Sequence, residues 1–457
     1  MSRPFVVMLT MLALVSAMAG AEPSAPQFQS GDNVAVIGDS ITHGRKWHRY
    51  VYAYYLTRFP DRQVRFVNLG IAGDSAGGAL RRLDWDILPN QPNAAAIFLG
   101  MNDVGRGYYK VNADEKTIAA RQTALDNYRK NMDDLSAKLL ANGVKRLVYV
   151  TPSPYDDTAE LAAENFPGVN GALAQCGRYG AELAAKYGGS VVDLNGPMTA
   201  LNQERQQADP KFTLIGPDRV HPGDVGMMVI AHTFLRAQGM PALVSTVSVD
   251  GVAGKVGETA NATVTNLKQT PEGVSFDCLA GALPWPIEAS ARPALDLVPL
   301  EADLDQERLT AKLAEGEYRL LVEGQEVGRY GAAALAAGIN LALNDKTPQY
   351  QQAWQVWQKA EQRAGLEVRI RTYAQMRSVL VANKINEDDP AAVDAYFADF
   401  LVRVGESMTP YFTNQIKVYK TTRPELQSIR AQMETLQQTL WQLNQPRTLH
   451  YELARVQ

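Results

Sequence analysis

Between residue 33 and about residue 240 the chain repeats one pattern. Short, near-continuous apolar runs, Val34–Ile37, Val64–Val67, Ala95–Leu99, Leu147–Val150 and Val191–Leu194, alternate with helical stretches. Runs without polar interruption fit strands covered on both faces. The stretch from Asn112 to Ala141 reads as one of the helices, with Asn142-Gly143 as its stop signal. Strand–helix alternation implies a parallel sheet with right-handed crossovers. In such sheets chemistry collects beyond the carboxyl ends of the strands.

Polar residues stand at those ends. The first run stops at Gly38-Asp39-Ser40. Ser40 is either a helix cap or an exposed nucleophile. It does not sit in a Gly-x-Ser-x-Gly elbow, because Thr42 takes the second glycine position. After the second run, in NLGIAGDSAGG, Gly73 is either a turn glycine or a bare backbone N–H open to a ligand. After the third, in LGMNDVGRG, Asn102 offers an amide donor or an Asx turn. Asp218 and His221 lie three apart in GPDRVHPG, ahead of an amphipathic helix. A carboxylate at that distance can orient an imidazole. His43 is a rival base near Ser40 but has no carboxylate partner in sequence. His48, His232 and His450 read as helix or tail residues. No Cys/His cluster has zinc spacing, and a metal at Asp218 and His221 is an alternative disfavoured by the want of further partners.

Taken together, the blocks Gly-Asp-Ser, Gly, Gly-x-Asn-Asp and Asp-x-x-His resemble the SGNH subgroup of the GDSL hydrolases. They fall on Ser40, on Gly73, on Gly100 with Asn102 and Asp103, and on Asp218 with His221. The resemblance covers roughly residues 33–240. It implies a flavodoxin-like three-layer α/β/α domain and hydrolysis of carboxylic esters without cofactor or metal. It makes Ser40 the nucleophile, His221 the base and Asp218 the residue that fixes the imidazole. Ser40, Gly73 and Asn102 would form the oxyanion hole, and Asp39 would brace the turn. The expected substrate is a small acyl ester or an acylated glycan, with O-deacetylation of carbohydrate favoured by analogy. Tyr108 and Tyr109 could stack on a sugar or simply pack. No long apolar lid segment lies between the blocks, which speaks against a triglyceride lipase. The alternatives are an acyltransferase using the same nucleophile and a noncatalytic glycan-binding or scaffold protein.

The flanking segments differ in texture. Arg3, an apolar run from Phe5 to Met18 and Ala19-Gly20-Ala21 read as a signal peptide over residues 1–21, cleaved near Ala21. Its apolar run is too short to span comfortably as a permanent membrane helix. A secreted or periplasmic location is expected, with a retained anchor as the alternative. Lys plus Arg number 45 against 49 Asp plus Glu, a net charge of −4, which speaks against a nucleic-acid partner. Residues 241–345 read as a β-rich accessory domain. It holds a hairpin turning near Glu323-Gly324 and a Pro-broken loop, ALPWPIEASARP. Residues 346–457 read as helical, with Asp389-Pro390 opening one helix. Leu426, Ile429, Met433, Leu436, Leu440 and Leu443 form a heptad seam. That seam either packs on its own chain or joins a dimer. Cys176 and Cys278 fall in different domains and read as free buried thiols, with a disulfide left open.

Overall fold

The computed structural model describes residues 24–44 and 46–456. The segment read as a signal peptide, 1–21, lies outside them. The expected runs form strands β1 (Asn33–Gly38), β2 (Arg65–Gly70), β3 (Ala94–Phe98), β4 (Arg146–Val150) and β5 (Ser190–Val192). All neighbours pair in parallel, in the order β2-β1-β3-β4-β5. The helices of this layer are α1 (Ser40–His43), α2 (Trp47–Arg58), α3 (Ala76–Arg81), α4 (Glu115–Ala141), α5 (Val169–Tyr187), α6 (Asn195–Gln206) and α7 (Asp224–Ala237). Helix α4 starts three residues later than the sequence pattern suggests, because the Asp114 carboxylate caps it by accepting from the Thr117 N–H.

Side chains of a strand alternate between the two faces of its sheet. Phe66 and Phe98 share one face and meet Tyr55 and Trp47 of α2, with ring centroids 5.5 and 5.6 Å apart. Tyr149, in register with Ile97, takes the other face and bonds Ser136 of α4 at 2.8 Å. Helices therefore cover both faces, giving the three-layer fold. Register Gly38↔Gly70 ends β1 and β2 at the same level. The loops that follow them leave from one rim.

The β-rich part comprises β6 (Leu243–Asp250), β7 (Lys255–Ala260), β8 (Ala262–Thr270), β9 (Gly273–Ala280), α8 (Leu300–Leu304), β10 (Gln306–Lys312), β11 (Glu317–Val322), β12 (Gln325–Gly331), α9 (Ala332–Ala337) and β13 (Ile339–Asn340). The expected hairpin is β11–β12, with Glu323 and Gly324 both at positive φ, as a type I′ turn requires. The chain then runs through α10 (Pro348–Ala382), α11 (Pro390–Arg403), α12 (Thr409–Thr422) and α13 (Leu426–Leu443) and ends in strand β14 (Leu449–Arg455). The Asp389 carboxylate caps α11 as its Asp-Pro signature suggests.

Two features depart from the sequence reading. Strand β14 inserts between β11 and β9 in the sheet order β12-β11-β14-β9-β8, so the chain's last strand returns to the β-rich layer. His450 is therefore a strand residue, its ring 2.6 Å from Asp277. The Pro-broken loop also belongs elsewhere. Leu283, Trp285, Ile287 and Ala291 join the core of the α/β layer, and Trp285 donates its indole N–H to the Tyr50 carbonyl at 3.2 Å. The seam of α13, read as packing on its own chain or joining a dimer, packs at least in part within the chain. Leu440 is buried in that same core, and Gln437 and Asn444 bond Tyr52 and the Leu56 carbonyl of α2. The helix thus packs against α10, with Ile429 and Leu440 of its apolar stripe buried. Cys176 and Cys278 are free and buried.

Candidate active site

Local structure explains why Ser40 ends the first strand. Buried Asp39 caps α1, its carboxylate accepting from the Ile41 N–H at 2.9 Å. Ser40 is then the first residue of the helix, with no intrahelical acceptor for its N–H. Burial, with the Asp103 and Asp74 carboxylates nearby, pushes the Asp39 carboxyl up to about 7. Asp39 therefore braces the turn.

His221 reaches Ser40 from a loop 181 residues away in sequence. Its Nε2 lies 2.7 Å from the Ser40 Oγ, and its Nδ1 lies 2.5 Å from Asp218 Oδ2. Asp218 Oδ1 also accepts the N–H groups of His221 and Val220, at 2.9 and 3.0 Å. Partial burial raises the Asp218 pKa, but the imidazole and these amides outweigh it and hold the carboxyl below its ordinary range. Between them, Arg219 sits at φ 63° with its guanidinium buried. It donates to the carbonyls of Asp156, Ala159, Leu161 and Ala163. Those bonds fasten the Asp218–His221 turn to the loop after β4.

Gly73 and Asn102 face the same cavity as Ser40 and His221. Gly73 takes φ 81°, open to glycine without strain. The Asn102 amide donates one hydrogen to the Asp74 carbonyl at 2.8 Å. The amide carries a second hydrogen beside this one. Asp103 tethers the Gly73 loop by accepting from the Ala76 N–H at 2.9 Å, and burial pushes its own carboxyl up to about 7. Gly100, at φ 138°, lies where a Cβ would stand 2.6 Å from Pro152. All the sequence-selected blocks therefore meet on one rim.

The other histidines have different partners. His43 borders the cavity, but its Nδ1 accepts from the Ala72 N–H at 3.0 Å. Burial, and then the charges of Arg371 and Arg82, push it down to about 3. His48 bonds the Thr42 carbonyl, and His232 bonds Asp303. Tyr109 is buried under the Arg121 guanidinium, 4.6 Å from its ring, and Tyr108 points outward at 40 % exposure. Neither is among the residues that line the cavity.

The sequence reading missed the opposite wall. The cavity, about 730 Å³, is closed by α10 and α12 through Arg369, Thr372, Gln375, Tyr411, Phe412 and Gln415. Arg106 completes the rim. No group of three or more His, Cys, Asp or Glu among the described residues could hold a metal. No helix among them is long and apolar enough to cross a membrane.

The fold is that of a three-layer SGNH-type α/β hydrolase carrying β-rich and helical additions. Residues 34–234 match the family model of the GDSL-like lipase/acylhydrolases. The solved structure of a gut microbial diltiazem-metabolizing enzyme is 31% identical, with a TM-score of 0.88 over 95% of this chain and 99% of that one. An acetylxylan esterase of Geobacillus stearothermophilus is 27% identical over 227 residues, which span 46% of this chain and 95% of the relative. A solved structure of an acetylxylan esterase from the same organism is 25% identical, with a TM-score of 0.39 over 47% of this chain and 96% of that one. The chain belongs to the GDSL-like lipase/acylhydrolase family, and it is a carboxylic ester hydrolase.

Proposed function

We propose that Ser40 is the nucleophile of this esterase, with His221 its general base and Asp218 the orienting carboxylate. The observation that carries the reading is the continuous relay of 2.7 Å from Ser40 Oγ to His221 Nε2 and 2.5 Å from Nδ1 to Asp218. A serine hydroxyl attacks poorly until a base takes its proton. The Asp218 contact keeps the Nδ1 proton in place, so Nε2 presents its lone pair to Ser40 and the imidazolium that forms is stabilised. Attack places negative charge on the former carbonyl oxygen. The Ser40 and Gly73 N–H groups and the second Asn102 hydrogen would receive it, each donor contributing about 3–4 kcal/mol of barrier lowering. His221 then protonates the departing alcohol. Water, activated by the same imidazole, releases the acid and restores Ser40.

The substrate we favour is an acetyl ester of a carbohydrate. The wall opposite Ser40 mixes polar groups, Arg369, Thr372, Gln375 and Gln415, with the apolar faces of Phe412 and Val418. That mixture suits an alcohol rich in hydroxyls better than an acyl chain. The similarity to a protein named acetylxylan esterase points the same way. A carbohydrate polymer substrate fits secretion after cleavage near Ala21. The direct test follows aryl acetate hydrolysis and acetate release from acetylated xylo-oligosaccharides, with esters of longer acids as competitors. Ser40→Ala and His221→Ala should each abolish turnover. Unchanged turnover in either removes the assignment, and faster hydrolysis of long-chain esters removes the substrate.

A further inference from the structure

Helix α10 carries Arg363, Glu367, Arg371 and Gln375 four residues apart, which places them on one face. All four are buried. The face lies along β2, the edge strand of the parallel sheet. Arg363 donates to the Phe66 carbonyl at 3.3 Å, and Glu367 accepts from the Asn68 N–H at 3.0 Å. Those strand groups point to the same edge and would otherwise stand ready to pair with another strand. Arg371 continues the row with bonds of 2.9 and 2.8 Å to Asp86. Gln375 ends it, donating to the Ala72 carbonyl at 3.2 Å.

The last contact falls on the peptide that joins Ala72 to Gly73. In a trans peptide the C=O and the N–H point in opposite directions. A donor pulling the Ala72 oxygen toward α10 therefore turns the Gly73 N–H away from α10. Because Gly73 tolerates either sign of φ, local sterics do little to hold this peptide in one orientation. The Ala72 N–H is pinned separately by His43 Nδ1. Gln375 is itself steered from α12, its amide nitrogen 3.3 Å from the Tyr411 hydroxyl. We propose that Gln375 is a positioning residue, a latch by which the C-terminal helices set the Gly73 N–H as an oxyanion donor. The inference rests on the Ser40 reading given above.

The test uses the full chain with Gln375→Met, which fills the space without donating, and Gln375→Glu, which turns a carboxylate toward the Ala72 oxygen. Both should lower kcat on an aryl acetate by about ten-fold or more, with KM within about two-fold. Affinity for an aryl trifluoromethyl ketone should fall by the same factor. That compound takes the Ser40 oxygen at its carbonyl carbon, passes the proton to His221 and leaves the charge on its own oxygen. Tyr411→Phe removes only the steering hydroxyl and should show the same split with a smaller loss, including in a setting where the Gln375 variants do not fold. Unchanged kcat in all three variants overturns the inference, as does a fall in kcat without weaker ketone binding. Turnover that survives Ser40→Ala overturns instead the reading on which it rests.

Discussion

Replacing Arg371 by methionine should loosen the helical wall from the sheet. The guanidinium meets both oxygens of Asp86 at 2.9 and 2.8 Å, and the two side chains are only 4% and 5% exposed. Burial alone would raise the Asp86 pKa, but Arg371 and then Arg82 overcome it and hold the carboxyl below its ordinary range. A carboxyl with a lowered folded pKa contributes stability above its unfolded value of 3.8, and that contribution is lost as pH falls through the lower folded value. At neutral pH the interaction is fully present. Breaking a buried pair costs about 3–5 kcal/mol when the survivor is left unpaired. Here Asp86 keeps the Arg82 Nη1 at 2.6 Å. The expected loss is therefore at the lower end, roughly 3 kcal/mol. A chain with several cores need not unfold in one step, so the readout is hydrogen exchange of the α10 and β2 amides. Asp86→Asn, alone and combined with Arg371→Met, closes a double-mutant cycle whose coupling should reach about 2 kcal/mol. Single and double variants that add within about 0.5 kcal/mol would refute the claim that this pair clamps the helix.

The other predictions concern the rim itself. Asn102→Ala should lower kcat by roughly a hundred- to a thousand-fold with little change in KM, as steady-state kinetics on an aryl acetate will show. Asp218→Asn should leave the fold intact and lower kcat by about ten-thousand-fold, because an amide no longer fixes the productive tautomer of His221. Asp39→Asn should keep the cap, since the amide oxygen still accepts from Ile41. The Asp39 carboxyl rises on folding from 3.8 to about 7, which is on the order of 4 kcal/mol. The folded state then binds the extra proton, so this group's contribution to stability falls as pH rises from 3.8 through about 7. Urea midpoints of Asp39→Asn relative to the parent should therefore move in favour of the variant as pH is raised, and a constant difference would contradict the shift.

The parallel sheet and the rim residues were legible because each leaves a local mark. Uninterrupted apolar runs such as Ala94–Phe98 can only be buried strands or core helix, and their length decides. Ser40, Gly73, Asn102 and His221 each follow or flank such an element. The wall formed by α10 left no comparable mark. Arg363, Glu367, Arg371 and Gln375 look like the solvated face of an amphipathic helix, and their burial depends on backbone groups of β2 almost 300 residues away. A row of charged and amide groups at four-residue spacing on a helix of this length is the one signal that could have raised the question. Trp285 was hidden for a related reason, since the Pro-rich loop carrying it lies between strands of the β-rich layer yet packs on Tyr54, with ring centroids 5.5 Å apart. Strand β14 follows a long helical region, and its pairing with β11 and β9 is a matter of topology that no local pattern records.

Covalent labelling tests the central claim most directly. A fluorophosphonate should modify the full chain once, and peptide mass spectrometry should find the adduct on Ser40. Ser40→Ala should take up no label, and His221→Ala should take it up far more slowly. An adduct on another residue, or equal labelling of the Ser40→Ala chain, would contradict the account.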